Sequence, residues 1–179
     1  MKKKKYIIIS SVVLIIFFAW YFLPSVILFT VPFLESKGES SGVWLKNSLI
    51  SCGPRSIKPV IRCLKSASPF ARNYGYLPYV LAEFGDKAKK ELEIEIGKEK
   101  NHMARANLIY ALQVAFDNFK YFHIWLDDAF NDRVSTLTLD FAKYRFSEKF
   151  KDVPEMLIGD KVNKEFIEWW NSRRKSTPT

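Results

Sequence analysis

The chain has 179 residues, with 28 Lys+Arg against 19 Asp+Glu and a formal net charge of +9 at neutral pH. Four of these positive charges stand together at residues 2–5, and elsewhere the two signs are interspersed. A nucleic-acid-binding protein would carry a concentrated basic stripe, and a disulfide-built scaffold would need more than two cysteines. The composition therefore excludes both classes and predicts one ordinary domain beyond the N-terminal segment.

The N-terminal segment is predicted to anchor the protein in a membrane. From Tyr6 to Leu34 there is no ionisable side chain other than tyrosine. About 20 apolar residues in a helix cross the ~30 Å hydrocarbon core of a bilayer. Residues 1–34 are therefore expected to form a cytoplasmic basic stub and a single transmembrane helix. The rest would be extracytoplasmic, on the periplasmic side of the inner membrane in a Gram-negative bacterium.

Two alternatives to this anchor remain open, a cleaved secretory signal and an apolar helix buried in a soluble body. A signal peptide has an apolar region of about 7–15 residues followed by a small-x-small cleavage site. Here the apolar run is longer and contains Trp20, Tyr21 and Phe22. An uncleaved anchor is the prediction, with anionic lipid headgroups contacted by the four leading lysines. These are Lys2, Lys3, Lys4 and Lys5.

The chain after the anchor is predicted to form paired helices. Residues 35–42 (ESKGESSG) are expected to be a flexible polar linker. Three turn residues each lie between two apolar stretches and are separated by 32 and 33 residues. They are Gly53, Gly85 and Asn118. Gly most readily adopts the left-handed conformation that ends a helix, and Asn comes next. This period predicts antiparallel helix pairs over residues 43–130.

The second helix of each pair carries an apolar stripe after its turn residue. The spacing is that of an amphipathic helix, in which residues i, i+3, i+4 and i+7 share one face. The middle stripe is looser, with i, i+4 and i+8 alone. The three stripes are Ile57, Val60, Ile61 and Leu64; Ala88, Leu92 and Ile96; and Phe122, Trp125, Leu126 and Ala129.

The first helices of the second and third pairs are less regular. The former is expected to begin at Ser68-Pro69, a capping serine with proline at the first helical position. It would bend at Pro78, which removes one backbone hydrogen bond. The first helix of the third pair shows an apolar stripe of alanines and leucines, namely Ala104, Leu108, Ala111, Leu112 and Ala115.

Two stretches resemble bacterial HEAT-like repeats. Residues 104–112 (ARANLIYAL) are similar to the family's first helix, and residues 81–88 (LAEFGDKA) to its Leu-x-x-x-Gly-Asp-x-Ala turn. The resemblance covers about residues 43–130 and implies an all-α fold, with an N-terminal transmembrane helix followed by a short α-solenoid of antiparallel helix pairs. The chain departs from the family pattern at Gly75 and Pro78, and at Asp117-Asn118 in the last turn.

Residues 131–179 are predicted to be a helical capping region. Residues 134–139 (VSTLTL) contain strand-favouring residues, and a helix is preferred over a strand there. Pro154 interrupts the chain before a last amphipathic helix. That helix is marked by Val162, Phe166, Trp169 and Trp170. An atypical closing unit of this kind is what an open-ended stack of repeats needs.

No combination of residues indicates catalysis, a cofactor or a metal site. His102 and His123 are far apart, without cysteines or clustered carboxylates at ligand spacing. His123 and Asp127 share a helix face, which suggests a surface hydrogen bond. Cys52 and Cys63 are expected at positions about 15 Å apart along antiparallel helices, beyond the ~7 Å limit for a disulfide, so both thiols are predicted to be free.

The resemblance and the anchor together predict a non-catalytic scaffold or adaptor that binds another protein at the membrane. HEAT-like arrays present a face of stacked second helices to their partners. A structural subunit of a membrane complex is one alternative. The resemblance also suggests a bilin-lyase-like enzyme, although such lyases are cytoplasmic. Candidate partner contacts are polar positions on the second helices: Arg62, Lys90, His123 and Asp127.

Overall fold

The computed structural model describes residues 2–30, 39–66, 75–131, 133–134, 152–158 and 161–174, with backbone alone for residues 2–12, 39–40 and 174. This part of the chain is mostly helical, as predicted. The helices are α1 (Lys2–Phe29), α2 (Glu39–Ser51), a 3-10 helix (Gly53–Ser56), α3 (Ile57–Ser66), α4 (Leu77–Ala82), α5 (Gly85–Lys98), α6 (His102–Phe116), α7 (Phe122–Phe130) and α8 (Lys164–Arg174). Two short strands, β1 (Leu157–Ile158) and β2 (Lys161–Val162), form a hairpin.

Helix α1 differs between its two halves. Every side chain from Val13 to Leu23 is exposed, whereas Pro24 and Leu28 are buried and Ile27 is half-buried. The C-terminal part of α1 packs against α2, the 3-10 helix and α3, so its last turns belong to the core of the body. Within the described residues, no helix combines the length and the apolar character needed to cross a membrane.

Helix α6 is the centre of the body. It packs against α3, α4, α5 and α7. Its buried residues include Leu108, Ile109 and Leu112, and they also include the polar Asn107 and Gln113. The Asn107 amide donates a hydrogen bond of 3.1 Å to the carbonyl oxygen of Leu64, near the end of α3. A helix buried on so much of its circumference is a core helix rather than a surface helix.

Helix α4 packs against α5 and α6 packs against α7, whereas α2 packs against α4, the 3-10 helix and α1 rather than against its predicted partner α3. In a solenoid each repeat contacts its immediate neighbours, whereas here α3 of the first pair packs directly against α6 of the third. Helix α4 has six residues and is about 9 Å long, too short to separate α3 from α6. The described helices therefore close around α6 instead of stacking in one direction.

Two of the three predicted turn residues adopt the left-handed conformation. The backbone φ is +74° at Gly53 and +54° at Gly85. In the third turn the left-handed residue is Asp117, with φ +49°, and not Asn118. Asp tolerates this conformation better than most residues. The Asn118 side chain instead accepts a hydrogen bond from the backbone N–H of Lys120.

All eleven apolar stripe positions of the second helices are buried, as predicted. In α6 four of the five stripe positions are buried, and Ala115 is half-buried.

The bounds of three elements differ from the prediction. Helix α2 begins at Glu39, so residues 39–42 are helical rather than part of a linker. A side chain on Gly42 would overlap the Tyr76 ring, so this turn packs closely against the body.

Pro78 does not bend a helix. It lies in the first turn of α4, which starts at Leu77, where a missing backbone N–H leaves no intrahelical bond unmade. The predicted start at Ser68-Pro69 lies outside the described residues. Val162 belongs to β2 and not to the last helix, which begins at Lys164.

The C-terminal region closes the body with an aromatic cluster. Phe166 and Trp170 of α8 are buried, and Trp169 is half-buried. The rings of Phe122 and Trp170 meet edge to face, with centroids 5.3 Å apart. The Asn163 side chain accepts a hydrogen bond from the Glu165 backbone N–H at the start of α8. Within residues 134–139, for which the sequence favours a helix over a strand, residues 135–139 lie outside the described part of the chain.

The left-handed turn at Gly85 predicts a destabilising Gly85→Ala substitution. An added Cβ would meet no atom within 4 Å, so the cost comes from the backbone conformation and should be about 1 kcal/mol of unfolding free energy. Gly97 of α5 is the matched control. It also has open space around it, and Ala there should stabilise the helix by about 0.5–1 kcal/mol. Urea unfolding of the full chain in mild detergent, followed by circular dichroism, measures both. Equal effects of the two substitutions would contradict the assigned turn.

Candidate functional site

A polar cleft of about 210 Å³ lies between α3 and α5, the second helices of the first two pairs. Side chains spaced four and three residues apart line it from both sides, because such positions share one helix face. Four of its lining residues are basic and two are acidic. They are Lys58, Ile61, Arg62 and Lys65 of α3, and Glu91, Glu95 and Lys98 of α5.

One end of the cleft is closed by an ion-pair cluster. The Lys65 ammonium lies 2.6 Å from Glu95 Oε2 and 3.0 Å from Glu99 Oε2. The hydrogen bond to Glu95 raises the pKa of Lys65 above its usual value. The same bond lowers the pKa of Glu95. The pKa of Glu99 is lowered chiefly by the backbone N–H of Asn101, 3.0 Å away, and next by Lys65.

The rest of the cleft carries positive charge that the body does not neutralise. Lys58 and Arg62 are exposed, and neither forms an ion pair with a described residue. Of the acidic lining residues, Glu95 is already paired with Lys65, which leaves Glu91 opposite two cations. An approaching carboxylate would therefore find cationic groups already in place, and such complementarity favours association with acidic partners.

The cleft contains one of the four candidate contact residues, Arg62. Lys90 is exposed on α5 but does not line the cleft. His123 and Asp127 lie on α7, also outside the cleft. The Nδ1 atom of His123 is 3.1 Å from the Lys120 carbonyl oxygen. The Asp127 carboxylate accepts a hydrogen bond of 3.4 Å from the Asn131 amide. Side chains of the four leading lysines lie outside the described part of the structure.

A buried carboxylate forms a second charged cluster that sequence reasoning missed. The Asp128 side chain is 3% exposed. Its Oδ2 lies 2.6 Å from Arg105 Nη2, and its Oδ1 lies 2.8 Å from His102 Nδ1 and 3.6 Å from Arg133 Nη1. A buried carboxylate needs such partners to offset its loss of hydration. The cluster ties the first turn of α6 to the last turn of α7.

Helical geometry contains a signal for Asp128. At 100° per residue, Asp128 lies about 60° from Trp125, which is on the buried stripe of α7. The neighbouring Asp127 points well away from that stripe. Asp127 is one of the four predicted contact residues because it is a polar position on a second helix. A check of which aspartate borders the apolar stripe would have identified the buried one.

The polar groups at the cleft, among the described residues, are charged side chains. No group of three His, Cys, Asp or Glu side chains in the described part of the chain could hold a metal ion. Neither Cys52 nor Cys63 forms a disulfide, and Cys52 is buried. The cleft instead offers fixed cations beside a neutralised ion-pair cluster, which suits non-covalent contact with an anionic group.

Comparisons with known proteins do not identify this site. The chain matches no protein family model, and no curated protein or solved structure is significantly similar to it. The function is therefore proposed from the geometry and charge of the chain itself.

The buried carboxylate predicts a large difference between two adjacent aspartates. Asp128→Asn should lower the free energy of unfolding by about 2 kcal/mol, because it leaves Arg105 partly buried beside a neutral group. This loss is smaller than that of a fully buried ion pair, because His102 and Arg133 are exposed to solvent. Asp127→Asn, at an exposed position, should change it by less than about 0.5 kcal/mol. Urea unfolding compares them, and similar losses would refute the role given to Asp128.

The Lys65 cluster predicts a pH dependence. The pKa values of Glu95 and Glu99 are lower in the folded state than the usual ~4.3, so their contribution to stability is present above that pH and lost as the pH falls through the folded values. Lys65→Gln should therefore flatten the loss of stability on acidification. Part of it should persist because Asn101 still binds Glu99.

Lys98→Gln is the matched control for Lys65→Gln. Lys98 is 69% exposed and its ammonium lies 3.9 Å from Glu95, so its removal should leave the acid profile nearly unchanged. Free energies of unfolding measured across the acid range give the comparison. Identical profiles for the two lysine variants would show that Lys65 does not depress the carboxyl pKa values.

Proposed function

We propose that this chain is a membrane-anchored helical-repeat protein that binds another protein through the cleft between α3 and α5. It would act as a non-catalytic scaffold or adaptor at the membrane. The observation that carries the proposal is the pair of exposed cations, Lys58 and Arg62, at a cleft whose other two lysines, Lys65 and Lys98, already lie beside Glu95. The partner would present acidic side chains to this cleft.

The anchor is proposed from the sequence of α1 and its exposure. No charged residue occurs between Tyr6 and Leu34, and the described side chains from Val13 to Leu23 are exposed and apolar or aromatic. Continuous exposed apolar surface of this kind suits contact with lipid or another protein. The lysines at residues 2–5 favour a cytoplasmic N-terminus, which places the helical body on the extracytoplasmic side.

Membership of the HEAT-like repeats is also proposed. It is supported by the left-handed glycines Gly53 and Gly85, spaced 32 residues apart, and by the buried stripes that follow them. The direct packing of α3 against α6 argues for a short, closed variant rather than an extended array. In this variant the partner would bind in the cleft and not along a long concave surface.

A structural subunit of a membrane complex is the second candidate. It is favoured by the exposed aromatic face of α1, where Phe17, Phe18, Tyr21 and Phe22 form ring contacts with one another. That face could pack against helices of other membrane proteins. The two candidates differ in which surface binds the partner.

The location is tested with reporters fused after Thr179. An exported body should make alkaline phosphatase active and leave green fluorescent protein dark, because the first matures outside the cytoplasm and the second inside it. The N-in orientation follows from the leading lysines. A fluorescent fusion with inactive phosphatase would overturn the proposed location.

Binding is tested by reversing charge at the cleft. The double variant Lys58→Glu/Arg62→Glu should reduce recovery of a cross-linked partner from membranes more than tenfold, because like charges would then face each other. Lys161→Glu, in β2, changes one charge far along the chain and should have little effect. Photo-cross-linking from position 98 of the full chain, an exposed position that lines the cleft, reports contact directly. Recovery that is insensitive to the cleft but lost on altering Phe17 and Phe18 would favour the subunit candidate.

A further inference from the structure

An arginine of the body stacks on a tryptophan of α1. Arg55 lies in the 3-10 helix, and its guanidinium carbon is 3.4 Å from the centroid of the Trp20 ring. Two of its nitrogens, Nε and Nη1, are enclosed and have no hydrogen-bond partner among the described residues. A guanidinium on a tryptophan face is a favourable cation–π contact, but it leaves the N–H donors unsatisfied.

This contact lies where α1 leaves the body. Trp20 precedes the buried Pro24 by about one turn, or ~6 Å along the helix. Trp20 itself is 55% exposed, and the described residues before it, 13–19, are all exposed. Tyr21 stacks on Phe17, with ring centroids 6.5 Å apart. Arg55 thus marks the boundary between the packed body and the exposed apolar part of α1.

The body is joined to α1 by packing, and this fixes the height of Arg55. Pro24 and Leu28 are buried, and the turns that contain them contact α2, the 3-10 helix and α3. Trp and Tyr side chains concentrate at the headgroup level of membrane-spanning helices. If α1 is the proposed anchor, residues 6–23 supply about 27 Å of helix before the packed body begins at Pro24, so Trp20 and Tyr21 lie in the last turn before the extracytoplasmic headgroups. Arg55 must then lie at the same level.

We propose that Arg55, held against Trp20, binds the phosphodiester of an anionic phospholipid in the extracytoplasmic leaflet. This inference rests on the proposed membrane anchor. Because Nε and Nη1 of Arg55 are enclosed, the donor left for a phosphate oxygen is Nη2; a guanidinium also gives up its hydration more readily than an ammonium does. No described carboxylate pairs with Arg55, so its charge is available to a lipid. The flanking exposed apolar residues provide a surface for the acyl chains of the same lipid.

The consequence is a body with a fixed pose on the bilayer. Lys58 follows Arg55 by three residues and also lines the cleft, so a lipid bound at Arg55 would bring the cleft near the membrane surface. Partner proteins would then approach along the membrane plane. A body on a flexible tether would have no such preferred orientation.

The test uses the full chain in lipid nanodiscs of phosphatidylcholine with and without phosphatidylglycerol. Native mass spectrometry counts the phosphatidylglycerol molecules that stay bound. Arg55→Gln should retain roughly tenfold less of this lipid than the unchanged protein, the loss expected for charge-assisted hydrogen bonds. Arg55→Lys should be intermediate, because a lysine keeps the charge but lacks the planar guanidinium that stacks on Trp20. Lys161→Gln, with the same charge change in β2, should behave as the unchanged protein.

Several outcomes would overturn the lipid site. Equal retention by Arg55→Gln and Lys161→Gln would remove Arg55 as the contact. Displacement of the lipid by inorganic phosphate would indicate a general anion site and not a headgroup site. If Arg55→Gln lost lipid and also had a lower thermal unfolding midpoint, the lipid loss could reflect a less stable body. Trp20→Leu tests this, because it removes the stack on Arg55 and keeps an apolar residue. It should also weaken lipid retention several-fold.

Extraction of native membranes with alkaline carbonate separates this inference from the anchor on which it depends. If the unchanged chain is released from the membrane, the anchor fails and the lipid site fails with it. If the chain stays in the membrane while Arg55→Gln still retains the lipid, the lipid site alone is refuted. Retention of the chain together with a lipid loss specific to Arg55 supports both.

Discussion

The burial of α6 on several sides is the constraint on which the rest of the body depends. Apolar stripes from α3, α4, α5 and α7 converge on this helix, and each large side chain that they bury contributes about 1.5–3 kcal/mol. Of its two buried polar residues, Asn107 bonds to the Leu64 carbonyl inside the core, whereas the Gln113 amide has no hydrogen-bond partner among the described residues. Because these helices share one partner, they cannot separate into an extended row without exposing that core.

This closed arrangement places the charged clusters at the rim. Asp128 binds Arg105 where α6 begins, and Lys65 binds Glu95 where α3 and α5 meet. In each case a polar interaction fixes the relative position of two helices whose apolar faces supply most of the packing energy. The cations left over, Lys58 and Arg62, then lie on a rigid surface, where binding costs little side-chain ordering beyond their own. The packing of the last turns of α1 against α2, the 3-10 helix and α3 extends the same principle to the N-terminal helix.

Much of the helical fold could be predicted from the sequence, and the correct predictions have a shared cause. The stripe from Ile57 to Leu64 and the turns at Gly53 and Gly85 depend on helical period and on the backbone freedom of glycine, which are local properties. The errors concern context. Pro78 starts a helix instead of bending one, and Asp117 takes the left-handed position in place of Asn118, because the neighbouring packing selects among conformations that each residue allows.

The candidate site also depends partly on local sequence and partly on contacts between distant segments. Arg62 could be assigned to an exposed face of its helix from periodicity, but its neighbours across the cleft come from α5, some thirty residues later in the chain. The buried role of Asp128 likewise depends on Arg105, which α6 brings from 23 positions earlier. By itself the sequence determined the helical class, the apolar stripes and two left-handed turns, since these follow from interactions within a few residues. The tertiary structure decided that α3 meets α6, which aspartate is buried, and that Arg55 stacks on Trp20, because those contacts depend on how distant segments share one core.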